Sequence, residues 1–238
     1  MTLMLTRPEM RRASSLYFVI GLMQAAYLPF SGINFRDRGI SFEAIGLIGA
    51  VNSMVALAAG PIWGHLGDAV LGRANAFRLA LLLAAVGVAV FAVGPFAGIP
   101  GAALAAFAGA GLVPLLDSIG MEQLAKVGGQ WGPLRAITSF SYAAMCVLSG
   151  ALVAAGGAIV IGPLYGVAAL VMVAGTIGLQ TAPALHHAAR PARSEAIAEI
   201  ERSEIALSAI IMVIPIAVLF IVSQKFLSRG MLAGSVKS

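Results

Sequence analysis

The chain has 238 residues, of which 60% are hydrophobic and only 11% charged. A soluble domain carries about 25% charged residues, and the mean hydropathy here is +0.95. This excludes a soluble globular protein, which needs a polar surface, and a disordered chain, which needs polar residues throughout. A polytopic membrane protein remains. The net charge of +5 does not indicate nucleic acid, because the basic residues are scattered between apolar stretches and form no stripe with interleaved aromatics.

A bilayer core needs about 20 apolar residues per helix, and seven stretches qualify: Ser14–Phe35, Phe42–Gly64, Ala76–Phe96, Ile99–Ile119, Arg135–Ala155, Ile159–Thr181 and Ala206–Leu227. Each reads as a helix, because an open strand edge has no partner in lipid. The first follows Arg7, Arg11 and Arg12, but it runs past a signal-peptide core and no small-x-small cleavage pattern follows, so it reads as a retained span.

A polar stripe runs down the first span. Gln24, Tyr27, Ser31 and Asn34 lie at offsets of three, seven and ten residues, on one helical face. An amide in hydrocarbon is costly unless it meets a partner or a wet cavity. The stripe therefore reads as the wall of a polar pathway, or as hydrogen-bond glue between spans. Between the second and third spans lies Gly64-His65-Leu66-Gly67-Asp68-Ala69-Val70-Leu71-Gly72-Arg73. It is a glycine turn carrying an acid and then a base.

Asp117 ends the fourth span and Arg135 begins the fifth. The short loop between them makes these spans expected neighbours, with the two charges meeting near one membrane face. If that pair were buried, Arg135→Ala would cost about 3–5 kcal/mol through the unpaired acid. The fifth span repeats the polar pattern with Arg135, Thr138, Tyr142, Cys146 and Ser149. Small residues let membrane helices approach closely, and Gly162–Gly166 and the row Ala102, Ala106, Ala110 are expected to pack within the monomer.

No nucleophile elbow, zinc-protease helix, phosphate loop or dinucleotide fingerprint is present, and nothing calls for a cofactor. Cys146 is the single cysteine, so no intramolecular disulfide forms. His186 and His187 lie in a polar loop and read as solvated.

Several of these residues carry a resemblance. Gly64, Asp68, Gly72 and Arg73 resemble the motif between the second and third helices of the major facilitator superfamily. Here Ala69 stands where that family usually has a base, and one extra residue precedes Gly72. Tyr27-Leu28-Pro29-Phe30, Gly39, Ile45-Gly46, Gly60 to Gly64, Pro114 to Asp117 and Gly132 to Arg135 are similar to the branch holding lactose permease-like and phenylpropionate permease-like proton symporters. The resemblance implies an all-α integral membrane protein: a six-helix half of a major facilitator bundle over residues 1–182, with a seventh hydrophobic helix. It implies a secondary transporter of a small organic solute, with Asp117 and Arg135 near the substrate and Asp68 in a gating network.

Residues 183–205 read as a polar cytoplasmic linker. Residues 206–238 resemble the last helix and basic tail of sugar ABC-transporter permeases, through Ala206-Leu207-Ser208, Pro215, Gln224-Lys225-Phe226 and Arg229 to Lys237. Truncation or gene fusion is one expectation from this arrangement. A non-transporting remnant and an accessory ABC subunit are the alternatives to a transporter. A homodimer would supply two six-helix halves.

Orientation follows from Lys and Arg. With the N-terminus cytoplasmic, Arg7, Arg11, Arg12, Arg73, Arg78, Lys126, Arg135, Arg190, Arg193 and Arg202 lie inside, against Arg36 and Arg38 outside. The expected location is a bacterial plasma membrane, N-terminus in. A crossing seventh segment would carry Lys225, Arg229 and Lys237 outward, against that bias. A reporter fused after Ser238 is therefore expected to give a cytoplasmic or mixed signal, and a uniformly external signal would overturn this.

Overall fold

The computed structural model describes residues 8–93, 95–127 and 131–179. The linker, the seventh segment, its ABC permease-like tail, His186 and His187 lie outside the described residues.

Among the described residues, six helices are long and apolar enough to cross a membrane: Met10–Asp37, Phe42–Val70, Arg73–Val93, Ala97–Ala125, Trp131–Gly156 and Ala158–Thr176. These are the first six expected spans, and the protein is an all-α membrane protein. The fourth differs most from its expected bounds, because its helix covers Pro95–Val127. At about 1.5 Å per residue that helix is much longer than a hydrocarbon core of about 30 Å, so it carries Asp117 and Glu122 toward one membrane face.

Proline acts differently from span to span. Pro61, Pro100 and Pro114 sit inside unbroken helices. Pro29 does interrupt its span: the first helix, Pro8–Tyr27, passes into a tight turn at Leu28–Phe30 before Ser31–Asp37 resumes. A proline lacks the N–H that would bond four residues back, and its ring crowds that carbonyl. A three-residue turn at 120° per residue, against 100° for an α-helix, advances the phase of the residues beyond it by about 60°.

The first span packs against the fifth and sixth, the third against the fourth and sixth, and the second against the fourth. The expected pairing of the fourth with the fifth is not what forms. Side-chain size decides this over loop length. A Cβ on Gly21 would lie 2.5 Å from the Thr138 carbonyl, so the first and fifth helices touch backbone to backbone. Gly87 and Gly101 do the same for the third and fourth: a Cβ on Gly87 would lie 2.6 Å from the Ala105 nitrogen. Gly162 faces Ala92 of the third span, as expected for packing within the monomer, while Gly166 meets nothing within 4 Å. Trp63 donates to the Phe107 carbonyl at 2.7 Å, tying the second span to the fourth.

The basic residues near the ends work as caps. Arg12 donates to the carbonyls of Gly175, at 2.9 Å, and Ile177. Arg78 reaches the Thr176 hydroxyl at 3.1 Å and its carbonyl. At the other end Arg38 donates to Phe91 and Ala92 carbonyls at 2.8 and 2.9 Å. Each places a cation on the orphan carbonyls that close a helix.

Burial is uneven. In the first, third and fourth spans 39%, 44% and 44% of the apolar window is buried, against 6% in the second and 11% in the fifth. The well-buried third–fourth contact is the one to test. Gly87→Leu should cost about 1–3 kcal/mol by overpacking, read as a lowered unfolding temperature in detergent. An unchanged value would show that the two helices do not meet there.

Candidate functional site

A half-open cavity of about 390 Å³ lies among the spans. The first span supplies Gln24, Tyr27 and Ser31, and the second supplies Asn52 and Ser53. Small residues of the fourth span, Ala102, Ala106 and Gly109 among them, form one wall, and Tyr165 of the sixth closes another side. The Tyr27 and Tyr165 rings meet edge to face at 6.0 Å, and Tyr27 also meets Phe91 at 5.2 Å.

The polar groups divide into bound and unbound. The Ser31 hydroxyl donates to the Leu28 carbonyl at 3.1 Å, and the Ser53 hydroxyl to Gly49 at 2.9 Å. The side chains of Gln24, Tyr27, Asn52 and Tyr165 have no hydrogen-bond partner among the described residues.

Of the expected stripe, Gln24, Tyr27 and Ser31 line the cavity, and Asn34 does not. Its amide is buried with neither atom hydrogen-bonded among the described residues. Asn34 lies beyond the Leu28–Phe30 turn, in the short helix Ser31–Asp37, where it is buried beside Phe35. Asn52 and Tyr165 were missed by the sequence reading. Asn52 had a readable signal, a lone amide in an apolar span. Tyr165 had none, because a single tyrosine in an apolar run is ordinary.

Asp117 and Arg135 do meet, at 3.4 Å, with 23% and 42% of their side chains exposed. They do not line the cavity. Asp117 lies five residues past the lining residue Leu112, more than a helical turn nearer the end that carries Arg12 and Arg73. The pair is completed by Tyr17, whose hydroxyl donates to Asp117 at 2.8 Å. Tyr17 fits there because position 120 is glycine: a Cβ on Gly120 would lie 2.6 Å from the phenol oxygen. Thr138, three residues after Arg135, donates to the Tyr17 carbonyl at 2.9 Å. Arg135 also lies over the Trp131 ring, 5.3 Å from its centre. Thus the first span stands between the fourth and fifth and joins their charges.

The rest of the fifth-span stripe behaves as glue or stays apart from the cavity. Ser149 is buried without a partner among the described residues, and Tyr142 and Cys146 are half-buried.

The Gly64 to Arg73 junction shows how the chain accommodates its extra residue. Leu66–Val70 forms a single π-helical turn, closed by Leu71 donating to the Leu66 carbonyl at 2.8 Å. A one-residue insertion in a helix produces such a turn. Gly72 then adopts φ +77°, open to glycine without strain, and its carbonyl accepts the first bond of the third span, from Ala76 at 3.0 Å. Arg73 pairs with Asp68 at 3.1 Å and reaches Glu122 of the fourth span at 4.0 Å. Gly64 is exposed and meets nothing within 4 Å, whereas Gly67 packs on Leu115. Glu122 was the residue missed here.

A cavity inside a bundle of six spans, with an acid–base cluster at one end, is the form of a transport protein. The model of the MFS_1 like family matches residues 10–232. The chain belongs to that family. The match supports the major facilitator resemblance and a membrane transporter, and it runs on through most of the segment likened to an ABC permease tail. No curated protein and no solved structure matches the chain.

The half-exposed ion pair alters the expected cost of breaking it. Asp117 keeps Tyr17 when Arg135 is removed. Arg135→Ala should therefore cost about 1 kcal/mol, and Tyr17→Phe about 1 kcal/mol through the lost hydrogen bond, both read from unfolding in detergent. A loss above about 3 kcal/mol for Arg135→Ala would mean that the pair acts as a buried one.

Proposed function

We propose that the chain binds a small organic solute in the cavity of Gln24, Tyr27, Asn52 and Tyr165 and moves it across the membrane by alternating access, with a second copy supplying the facing half. The observation that carries this is the cavity itself, which holds polar side chains with no partner among the described residues in the interior of a membrane bundle. Hydrocarbon does not tolerate such groups, so they belong to a space that holds water or solute.

The second half is supported by the second and fifth spans. These are the least buried, and they expose Ser53, Ser139 and half of Arg135 beside large apolar residues such as Met54 and Phe140. Transporters of this type rock two bundles about one site, and these two faces are suited to meet a twin. The Asp68–Arg73–Glu122 cluster then acts as a clasp at the cytoplasmic end, closed when the cavity opens outward. Lys and Arg counts support that orientation, in a bacterial plasma membrane. The order of motifs supports the lactose permease-like and phenylpropionate permease-like branch. Proton coupling is not part of the proposal. The ABC permease-like tail is read without an ATPase partner.

Two measurements test this. Light scattering of the purified chain, corrected for detergent, should give the mass of a stable dimer. Proteoliposomes holding the chain alone should then accumulate solute from a panel of sugars, nucleosides and aromatic compounds. Ala106→Trp, which fills the cavity, should abolish uptake while leaving the mass unchanged. A monodisperse monomer, or uptake indifferent to Ala106→Trp, would overturn the reading.

A further inference from the structure

We infer that the cavity selects an uncharged solute rich in hydrogen-bonding groups and discriminates against carboxylates and ammonium ions of the same size. This rests on the transporter reading and adds the chemical class of its cargo.

The lining residues set the chemistry. None of those described is charged. The unpaired groups are two carboxamides, Gln24 and Asn52, and two phenols, Tyr27 and Tyr165. Each amide offers two N–H donors and a carbonyl acceptor, and each phenol offers one donor and an acceptor. Such a set satisfies hydroxyl, amide or heterocyclic nitrogen groups in either direction. It has no counter-charge for an ion. An ion that gives up hydration to enter an uncharged site recovers it only from an opposite charge or several aligned dipoles.

Three fixed charges outside the lining, Asp117, Arg135 and Arg38, already have partners. Asp117 holds both Arg135 and Tyr17. Arg38 donates to two backbone carbonyls at the opposite end. Taking a carboxylate to Arg135 would place it against Asp117, and taking an ammonium to Asp117 would place it against Arg135. The wall of Ala102, Ala106 and Gly109 adds shape without chemistry, and the tyrosine rings add apolar faces. The cargo that fits is compact, with polar groups around an apolar face. Sugars and nucleosides both meet that description.

The test uses sets of probes that share a scaffold and differ in charge: glucose, glucuronate and glucosamine; uridine and uridine monophosphate; benzyl alcohol, benzoate and benzylamine. Equilibrium binding of each labelled probe is measured on the full chain in lipid nanodiscs. A neutral probe should bind at least about tenfold more tightly than its charged siblings, a difference of about 1.4 kcal/mol. Gln24→Ala and Asn52→Ala should each weaken it severalfold. Gln24→Glu should reverse the preference in favour of the ammonium sibling, an outcome that simple misfolding does not produce.

A carboxylate or ammonium that binds as tightly as its neutral sibling, and loses affinity in Gln24→Ala, would overturn the inference while leaving the transporter reading intact. Neutral binding untouched by both alanine variants would place the solute elsewhere and overturn the inference as well. Binding of no probe, together with no uptake in proteoliposomes, would overturn the transporter reading and this inference with it.

Discussion

Hydrocarbon offers no hydrogen bonds, and this constraint organises most polar side chains in the bundle, the buried Asn34 amide and Ser149 hydroxyl being exceptions. A polar group at membrane depth must find a partner in protein or lie in a space that admits water. The described residues use both solutions. Arg12, Arg78 and Arg38 end on the carbonyls that close helices. Thr138 and Trp63 donate to the backbone of a neighbouring span. Gln24, Tyr27, Asn52 and Tyr165 take the second solution and face a cavity. The unpaired cavity groups are therefore the informative ones, since they keep all their donors and acceptors for a ligand.

The first span carries most of this arrangement. It touches the fifth at Gly21 and Thr138, meets the fourth at Tyr17 and Asp117, and presents Gln24, Tyr27 and Ser31 to the cavity. A helix with so many neighbours must be thin where they approach, which explains Gly21. It is interrupted once, at the Leu28–Phe30 turn that Pro29 introduces. Cavity and ion pair are then two layers on one helix. Tyr17 and Gln24 are seven residues apart, roughly 10 Å along the axis.

The first six spans, the helical class and the meeting of Asp117 with Arg135 could be read from the sequence, because hydropathy and spacing report them directly. The partner of each span could not. A short loop says that two helices share an end, but close approach along their length depends on small residues facing each other across a gap the sequence does not reveal. Thus Arg135 reaches Asp117 past Tyr17 of the first span, and not across a fourth–fifth contact. The face shared by Gln24, Tyr27 and Ser31 was readable from their spacing, whereas the burial of Asn34 away from the cavity was not. The extra residue before Gly72 was visible as a departure from the family motif. Its accommodation as a π turn at Leu66–Val70 required the backbone.

Uneven burial bears on the same constraint at a larger scale. Spans one, three and four are packed on several sides, whereas two and five expose most of their surface. Lipid satisfies Met54, Phe140 and Val147. It does not satisfy the open side of Arg135, while the Ser53 and Ser139 hydroxyls on the same two spans donate only to carbonyls of their own helix. These groups stand beside the cavity and beside the ion pair, on helices that pack against the fourth and the first respectively. A surface that mixes such groups with large apolar side chains, next to a cavity of unpaired amides and phenols, is better completed by a second bundle than by acyl chains. The helices that line the solute path and those that would carry a moving interface are then in contact, and that contact is what alternating access requires.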